Sequence, residues 1–312
     1  MRKFSAFLLG LLCLFCCACA KGNGEEYVVY APDGAPALAL SKAFALDTET
    51  DGVTYRVVDG SAIGAYVTYE NPAQNADACI LPFNLATKAL GSGERYQMAG
   101  VVTHGNLYLM SAENTPLQSP SELLGKTVRI AQLAAVPGLV MKMVLAESAI
   151  PYQSANDGGV AADKVNLTAS GQADFWLADS LQGEGENAYA VADLQAWYGG
   201  ENGYPQAVLV VKKSLLNDGR TAALIAALDG AAGYLAAADY GKVCADVQAR
   251  MPSGKQSKIT EKTLNATTVA RSAIRWQPSP DCRAETDAFL EKASKIAPAL
   301  VGAVENAFYG GN

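Results

Sequence analysis

Short apolar runs that read as strands alternate with helical segments along most of the chain, and this order restricts the fold more than any other feature of the sequence. Strands are predicted at residues 27–31, 55–58 and 78–81, each followed by a predicted helix. The alternation continues through a predicted helix at 160–169 to a strong strand at 206–211, and beyond residue 217 the pattern is mainly helical. Such alternation is typical of parallel sheets covered by helices. The sequence therefore predicts an α/β fold with mainly parallel sheets.

The N-terminal segment has the layout of a bacterial export signal. Two cationic residues precede an apolar run that ends at residue 15, followed by the cysteine-rich stretch 16–19 and a polar stretch up to residue 26. The apolar run is too short for a typical membrane-spanning helix. A small residue directly before a cysteine resembles the bacterial lipobox, in which the cysteine is acylated and becomes the mature N-terminus.

We interpret residues 1–18 as a lipoprotein signal peptide, Cys19 as the lipidated cysteine and residues 19–26 as a tether. Cys17 is the alternative lipidation site, and an ordinary cleaved signal peptide with incidental cysteines is the other interpretation. Two or more acyl chains hold a protein stably on a bilayer, whereas one chain does not. We therefore expect a lipid-anchored protein on the extracytoplasmic face of the cell membrane.

Composition excludes several other classes of protein. A hydrophobic fraction of 50% and a charged fraction of 18% indicate a folded globular chain rather than a disordered one. The formal charge is −7, and no Lys/Arg cluster alternates with aromatic residues, so no nucleic-acid partner is expected. His104 is the single histidine, and no spacing of Cys, His, Asp or Glu suits a metal. We expect no metal, no cofactor and no catalytic residues, and the chain is predicted not to be an enzyme.

Three cysteines lie outside the export segment. Cys79 falls within a predicted buried strand and reads as a small core residue. Cys244 and Cys282 could form a disulfide outside the cytoplasm, or they could be two free thiols. The sequence leaves both alternatives open.

Four stretches, in the same order along the chain, resemble type 2 periplasmic binding proteins of the nitrate/sulfonate/taurine and thiamine-precursor branch. They are the first strand and loop at residues 30–40, the Ala-Asp pair and third strand at 76–82, the Leu-Gly-Lys start of a second lobe at 124–130, and a Gly-x-x-Asp turn at 171–175. The resemblance covers about residues 27–309. It implies a two-lobed α/β fold in which each lobe has a mainly parallel sheet flanked by helices.

The same resemblance implies how the lobes divide the chain. Lobe 1 would hold residues 27–111 plus 208–312, and lobe 2 would hold residues 112–207. Two crossovers would form the hinge, one near Ser111-Ala112 and the other near Val210-Val211.

The resemblance further implies a monomeric solute-binding lipoprotein of an ABC importer, with permease and ATPase subunits as partners. The solute would be a small organic molecule, such as a sulfonate, a nitrate-like anion or a thiamine-precursor-like heterocycle. An extracellular sensor or adhesin with the same fold is the alternative function. An enzyme related to pyrimidine-precursor synthases is a further alternative, although the clustered histidines and cysteines of that chemistry are missing from this sequence.

The candidate ligand-binding residues follow predicted strands, because ligands of open α/β sheets bind beyond the carboxyl ends of the strands, where helices begin. They are Asp33, Gly34, Ala35, Ser61, Phe83, Asn84, His104, Asn106, Pro137, Gly138, Asn156 and Asp179. Several have a purely structural alternative: relief of turn geometry for the glycines, a helix N-cap for Ser61, and a place in the core for Phe83 and His104. Tyr204 is expected at the rim of the cleft or on the surface. The predicted loops contain no Arg or Lys, so helix ends and uncharged polar groups would have to bind the solute.

Overall fold

The computed structural model describes residues 26–46, 52–155, 159–182, 187–199 and 203–310. The strands are β1 Tyr27–Pro32, β2 Val53–Val58, β3 Ala78–Pro82, β4 Tyr96–His104, β5 Leu107–Ser111, β6 Thr127–Arg129, β7 Tyr152–Ser154, β8 Val165–Thr168, β9 Phe175–Asp179, β10 Tyr189–Asp193, β11 Pro205–Lys212 and β12 Ile274–Pro278. The helices are α1 Ala35–Ala39, α2 Ser41–Leu46, α3 Ala65–Thr68, α4 Phe83–Leu90, α5 Val136–Glu147, α6 Leu194–Tyr198, α7 Gly219–Asp229, α8 Ala231–Ala237, α9 Tyr240–Gln248, α10 Ala266–Arg271 and α11 Ser279–Ile296. Short 3-10 turns occupy Pro72–Gln74, Pro120–Leu123, Lys213–Leu215, Pro298–Leu300 and Asn306–Tyr309.

In the described part of the chain, the strands form two six-stranded sheets, which confirms the predicted two-lobed α/β architecture. The first sheet has the order β12-β4-β11-β3-β1-β2 and the second has the order β10-β5-β9-β6-β8-β7. Leaving aside the edge strands β12 and β7, the strand that arrives from the other lobe (β11 in the first sheet, β5 in the second) lies between the third and the fourth strand of the lobe that it joins. The two lobes are therefore variants of one topology.

The sheets are mixed rather than mainly parallel. β1 pairs in parallel with β2 and β3, whereas β11 is antiparallel to both β3 and β4. In the second sheet, β6 is parallel to β8 and β9, whereas β5 is antiparallel to β9 and β10. The arriving strand runs against its neighbours, because it enters each sheet at the edge where the neighbouring strands end.

The crossovers lie elsewhere than the sequence indicated. β4 belongs to the first sheet and β5 to the second, so the chain crosses at Gly105-Asn106 and not at Ser111-Ala112. The return crossing follows β10 and includes α6, and the whole of β11 lies in the first sheet, including residues 205–207 that had been expected in lobe 2. The sheet assignments therefore move residues 107–111 into the second lobe.

Two hydrophobic clusters cover the faces of the first sheet. One cluster contains Met98 and Phe289 together with second-lobe residues such as Leu109 and Val128, so this core is continuous across the crossovers. The other cluster contains Val29 and residues from α1, α2, α7 and α9. The long helix α11 packs against both β4 and α5, which ties the C-terminal segment to both lobes. Within the described residues, no helix has the length and apolar character needed to cross a membrane.

The disulfide considered between Cys244 and Cys282 is not formed. Both thiols are free and buried, as is that of Cys79. Cys244 packs in the cluster around α9 and Cys282 in the cluster around α11, so the two side chains belong to different hydrophobic clusters. Burial raises the pKa of the Cys282 thiol to about 12 and also raises that of Cys244. Of the two alternatives, the structure therefore has the free thiols.

Candidate functional site

The two sheets meet edge to edge at the crossovers. β1 to β4 run in the same direction, so their carboxyl ends share the edge at which the chain leaves for β5. In the second sheet, Leu107 at the start of β5 lies opposite Asp179 at the end of β9, and Tyr108 lies opposite Asp193 at the end of β10. The strand ends of both lobes therefore border a common region, where ligands of open α/β sheets bind.

Aspartates stand at or directly after the ends of four strands (Asp33 after β1, Asp59 after β2, Asp179 in β9 and Asp193 in β10), and each side chain accepts hydrogen bonds from its own turn or from another segment. The carboxylate of Asp33 accepts from Ser257 Oγ at 2.6 Å and from the backbone N–H of Lys258 at 2.8 Å. Asp179 accepts from the N–H of Leu181 at 3.0 Å, and Asp193 accepts from that of Gln195 at 2.8 Å. These carboxylates fix the loops around the cleft. Asp33 also fastens a distant C-terminal segment to the first strand.

Ser61 does not cap a helix, because α3 begins four residues later, after Gly64. Its hydroxyl and its backbone N–H both donate to Asp59 Oδ1, which closes an exposed turn after β2. These hydrogen bonds also lower the pKa of Asp59. The turn accounts for a serine two residues after Asp59. Ligand contact by Ser61 remains a prediction.

Gly34, Pro137 and Gly138 lie at helix starts, as the sequence predicted. Gly34 is required there by its backbone conformation, and Gly138 by a close contact. Gly34 has φ +123°, a conformation that favours glycine, directly before Ala35 at the start of α1. Pro137 and Gly138 lie in the first turn of α5. A β-carbon on Gly138 would lie 2.0 Å from the carbonyl oxygen of Leu133, so the close approach of the preceding loop requires a glycine.

Phe83 and Asn84 have structural partners. Phe83 is fully buried and packs edge-on against Phe289, with ring centroids 5.7 Å apart, so it belongs to the core. The helix α4 begins at Phe83 after Pro82, so Asn84 is not its N-cap. The Asn84 side chain instead donates from Nδ2 to the carbonyl of Leu300 at 3.1 Å and holds the C-terminal segment.

His104 ends β4 and is 3% exposed. Its Nε2 lies 2.9 Å from Gln277 Oε1 and 3.8 Å from Glu285 Oε1. Burial, reinforced by the charge of Arg275, lowers the pKa of His104 to about 4 although the hydrogen bond with Gln277 acts in the opposite direction. The imidazole is therefore neutral near pH 7.

Asn106 is 4% exposed in the two-residue crossover, and its Oδ1 has no hydrogen-bond partner. Thr103 Oγ1, His104 Nδ1 and Gln206 Oε1 are likewise buried without partners on the adjoining ends of β4 and β11. Tyr204 is fully buried in the core beside Phe289, not at the rim, and burial raises its pKa well above the usual value. The crossovers thus concentrate polar groups in a buried setting.

Gln195 was not predicted, and it lies between the two crossing chains. Its Oε1 accepts from the N–H of Leu107 at 2.9 Å. β-carbons on Gly105 and Gly203, which both have positive φ, would lie 2.3 and 3.2 Å from Gln195 Cγ. The sequence signal was Asp193, an N-cap residue that starts α6 and directs Gln195 toward the crossover.

Two arginines reach the crossovers from the C-terminal segment, although the predicted loops contain none. The Arg271 guanidinium lies 5.0 Å from the ring centroid of Tyr108, and Arg275 is close enough to depress the His104 pKa. The hydroxyls of Ser180 and Ser272 lie 2.9 Å apart, which adds a direct contact between the lobes. Residues from α10 and β12 thus complete the region that the strand ends border.

Asn156 lies outside the described residues. Across the part of the chain that the structure describes, no group of His, Cys, Asp and Glu could hold a metal ion.

One cavity of about 430 Å³ lies between α11 and the following C-terminal segment, and another of about 340 Å³ lies between α2, β2 and α7. Neither is lined by a predicted site residue. His104 and Asn106 line neither cavity and are 3% and 4% exposed.

Comparison with known proteins gives the fold a precedent. No protein-family model matches the chain, and no curated protein matches it. An ABC transporter structure from Parabacteroides distasonis is similar, with a TM-score of 0.67 and 16% identity over 91% of this chain and 98% of that one. The periplasmic aliphatic sulphonate binding protein SsuA from Escherichia coli is similar with a TM-score of 0.59 and 14% identity over 89% of each chain.

The alkanesulfonate-binding protein SsuA from Xanthomonas axonopodis pv. citri, bound to MOPS, is also similar. Its TM-score is 0.56 at 15% identity, over 89% of this chain and 96% of that one. These similarities confirm the two-lobed type 2 periplasmic binding fold.

Proposed function

We propose that the chain is an extracytoplasmic solute-binding lipoprotein of an ABC importer. The observation that carries this proposal is the pair of sheets that share the order of five strands, joined by one crossing at residues 105–106 and by a return crossing that follows β10 and includes α6. The strand ends of both lobes border the crossovers, so rotation about these segments opens and closes a cleft. Hinge closure around a ligand is the established use of such an arrangement. The structural similarity to transport and sulfonate-binding proteins supports the same function.

The described side chains are suited to binding rather than catalysis. His104 is neutral near pH 7, buried and hydrogen-bonded to Gln277, and it has no partner nucleophile. Asn106 and His104 lie on the floor of the proposed cleft and remain our leading ligand contacts. The loops around Asp33, Gly34, Gly138 and Asp179 border the cleft and remain candidate contacts through their backbone groups.

Solute release requires that the closed and open forms have similar free energies. The solute shifts the population toward the form that it binds more tightly, by its differential affinity for the two forms. The permease and ATPase subunits would recognise the closed form. The solute itself is a small organic molecule, and sulfonates, nitrate-like anions and thiamine-precursor-like heterocycles are the classes to test.

The lipid anchor is the second part of the proposal. Cys19, with Cys17 as the alternative, would tether the protein to the outer face of the membrane, close to its permease. Mass spectrometry of the mature N-terminus tests this directly. A diacylated or triacylated cysteine is the expected result, and an unmodified N-terminus beyond Cys19 would contradict the anchor without affecting the binding function.

Solute binding is tested by thermal shift and calorimetry with the detergent-solubilised full chain. A solute that binds only the native state raises Tm by mass action. Small-angle scattering of the same samples should show a smaller radius of gyration with solute than without, because the lobes close. If no solute of the three classes raises Tm, the sensor or adhesin function becomes the better hypothesis.

A further inference from the structure

Unpaired buried polar atoms in the described residues are concentrated at the crossovers. Thr103, His104, Asn106 and Gln206 each have a buried side-chain oxygen or nitrogen without a hydrogen-bond partner. They are neighbours along the two crossing chains: Thr103 and His104 end β4, Asn106 follows in the crossover, and Gln206 comes next to Pro205, the partner of His104 in β11. Buried polar groups are almost always paired in native proteins, so a cluster of unpaired ones requires an explanation.

The hydrogen-bond network determines which nitrogen of His104 is unprotonated. Gln277 Nε2 donates to the carbonyl of Asp281 at 3.1 Å, which orients Gln277 Oε1 toward His104. An amide oxygen only accepts, so His104 Nε2 carries the proton and donates to it. The unpaired Nδ1 of the neutral ring is therefore an acceptor.

The neighbouring unpaired atoms have the same polarity. Asn106 Oδ1 and Gln206 Oε1 are amide oxygens and accept hydrogen bonds without donating them. Thr103 Oγ1 can accept as well as donate. His104 Nδ1, Asn106 Oδ1 and Gln206 Oε1 are thus acceptor atoms, whereas Thr103 Oγ1 and the likewise unpaired Tyr204 hydroxyl can also donate. A ligand that offered only further acceptors would leave the three acceptor atoms unsatisfied.

Charges of both signs lie near these acceptors. Glu285 lies 3.8 Å from the His104 ring. Asp179 and Asp193 end the second-lobe strands that border the cleft. The nearest arginine of α10, Arg271, is held over the ring of Tyr108. Arg275 also lies close enough to lower the His104 pKa, so an oxyanion placed against the crossover acceptors would meet their lone pairs and the Glu285 carboxylate as well as this arginine.

We infer that the solute presents a nitrogen-bearing head group that donates several hydrogen bonds, such as an amidine, an amide or an amino-heterocycle, to the acceptors of His104, Asn106 and Gln206. This inference rests on the proposed solute-binding function and narrows it. It selects against sulfonates at the crossover, although the similar structures include sulfonate-binding proteins. Each N–H group of such a head group would pair an acceptor atom that is otherwise buried without a partner.

The test uses three probes with one ring and different head groups: benzamidine, benzamide and benzenesulfonate. Calorimetry with the detergent-solubilised full chain should give Kd values for benzamidine and benzamide at least tenfold below that of benzenesulfonate. If benzenesulfonate binds best, the inference is wrong while the solute-binding function stands. If none of the three binds at 10 mM, the inference is wrong and the proposed function is weakened as well, with 10 mM taken as roughly the weak limit of specific binding.

A charge-changing variant tests the location of the head group. Asn106→Asp retains the shape of the side chain and adds a carboxylate at the crossover, so it should strengthen benzamidine binding at least threefold and should not strengthen benzenesulfonate binding. Asn265→Asp is the matched control, because Asn265 caps α10 and an aspartate caps equally well. If Asn106→Asp and Asn265→Asp change the benzamidine affinity equally, the head group does not bind beside Asn106 and this part of the inference is wrong. If Asn106→Asp fails to fold, Gln206→Glu must give the same pattern.

Discussion

A β-carbon placed on Gly105 would lie 2.3 Å from Cγ of Gln195, closer than real carbon atoms approach. Gly105 is half of the two-residue crossover, and it has φ +70°. Gln195 also accepts the backbone N–H of Leu107, so its side chain is held against the first crossover. The relative position of the lobes therefore depends on a glutamine that lies between two crossover glycines.

We expect Gly105→Ala to destabilise the protein more than Gly199→Ala. Both glycines have positive φ, but a β-carbon on Gly199 meets nothing within 4 Å. Gly199→Ala should cost about 1–3 kcal/mol for its backbone conformation alone, because φ +82° with ψ 172° is a combination that only glycine readily adopts. Gly105→Ala should cost about 1–3 kcal/mol more because it overpacks against Gln195. Urea unfolding of both variants measures the difference.

The double variant Gly105→Ala/Gln195→Ala identifies the contact that is responsible. Removal of the glutamine side chain should recover much of the extra loss, with a coupling free energy of about 1 kcal/mol or more. If the two substitutions are additive, Gln195 is not what confines Gly105. The same variants should change the radius of gyration measured by small-angle scattering if Gln195 also sets the angle between the lobes.

The positions of strands that consist of short apolar runs could be predicted from the sequence. The strands with which they pair in the sheets could not. The predicted strand at 27–31 became Tyr27–Pro32 and that at 78–81 became Ala78–Pro82. The segment 160–169 was predicted as a helix, yet Val165–Thr168 is a strand with all four residues buried. Asn166 is fully buried there and bonds to backbone groups of Ala161 and Lys126, so the strand lacks the alternation that identifies strands with one exposed face.

The candidate site likewise contains some residues that local sequence patterns could predict and others that only long-range contacts reveal. The crevice rule selected His104 and Asn106 as candidate ligand contacts, because it needs only the positions where strands end. It could not identify Gln277, which lies 173 residues from its partner His104, or Arg271, which lies 163 residues from Tyr108. The crossover was misplaced because β4 and β5 are both extended runs separated by two residues, and only their long-range pairing assigns them to different sheets.

Stability should fall between pH 6.5 and pH 4 through His104. Its pKa is lowered from 6.5 to about 4 in the folded protein, so the unfolded chain binds more protons in this interval. Stability therefore rises with pH across the interval and is lost as the pH falls, by up to roughly 3 kcal/mol. Chemical unfolding at pH 7, 5.5 and 4 should show a steeper loss for the wild type than for His104→Gln. Parallel profiles would show that His104 is not buried as a neutral base.

The Asp33 carboxylate should contribute more to stability than that of Asp59. Asp33 accepts hydrogen bonds from Ser257 and Lys258, more than 220 positions away, whereas Asp59 bonds only within its own turn to Ser61. Asp33→Ala should cost about 2 kcal/mol, because hydrogen bonds to a charged group are lost and the donors of a distant segment are left unpaired. Asp59→Ala serves as the control and should cost less than about 1 kcal/mol. Equal losses would mean that the Ser257 segment is not fastened through Asp33.

Cys244 and Cys282 should be alkylated as free thiols without a reductant. Both are buried in different hydrophobic clusters, and burial raises the pKa of each. Iodoacetamide should modify both in denatured protein and should modify Cys282 only slowly in the native state, since the thiolate is the reactive form. Peptide mapping by mass spectrometry distinguishes the alkylated peptides from a disulfide-linked pair. A linked peptide would contradict the arrangement of α9 and α11.

Asn84→Ala should reduce stability and leave solute affinity unchanged. Although Asn84 follows β3 at the cleft edge, its Nδ2 donates to the carbonyl of Leu300, which anchors the C-terminal segment on α4. Loss of this hydrogen bond should cost about 1 kcal/mol. Asn106→Ala provides the contrast, because its Oδ1 has no protein partner and its loss should weaken the best-binding solute more than it lowers the melting temperature. If Asn84→Ala instead weakens solute binding, the ligand extends from the crossover to the start of α4.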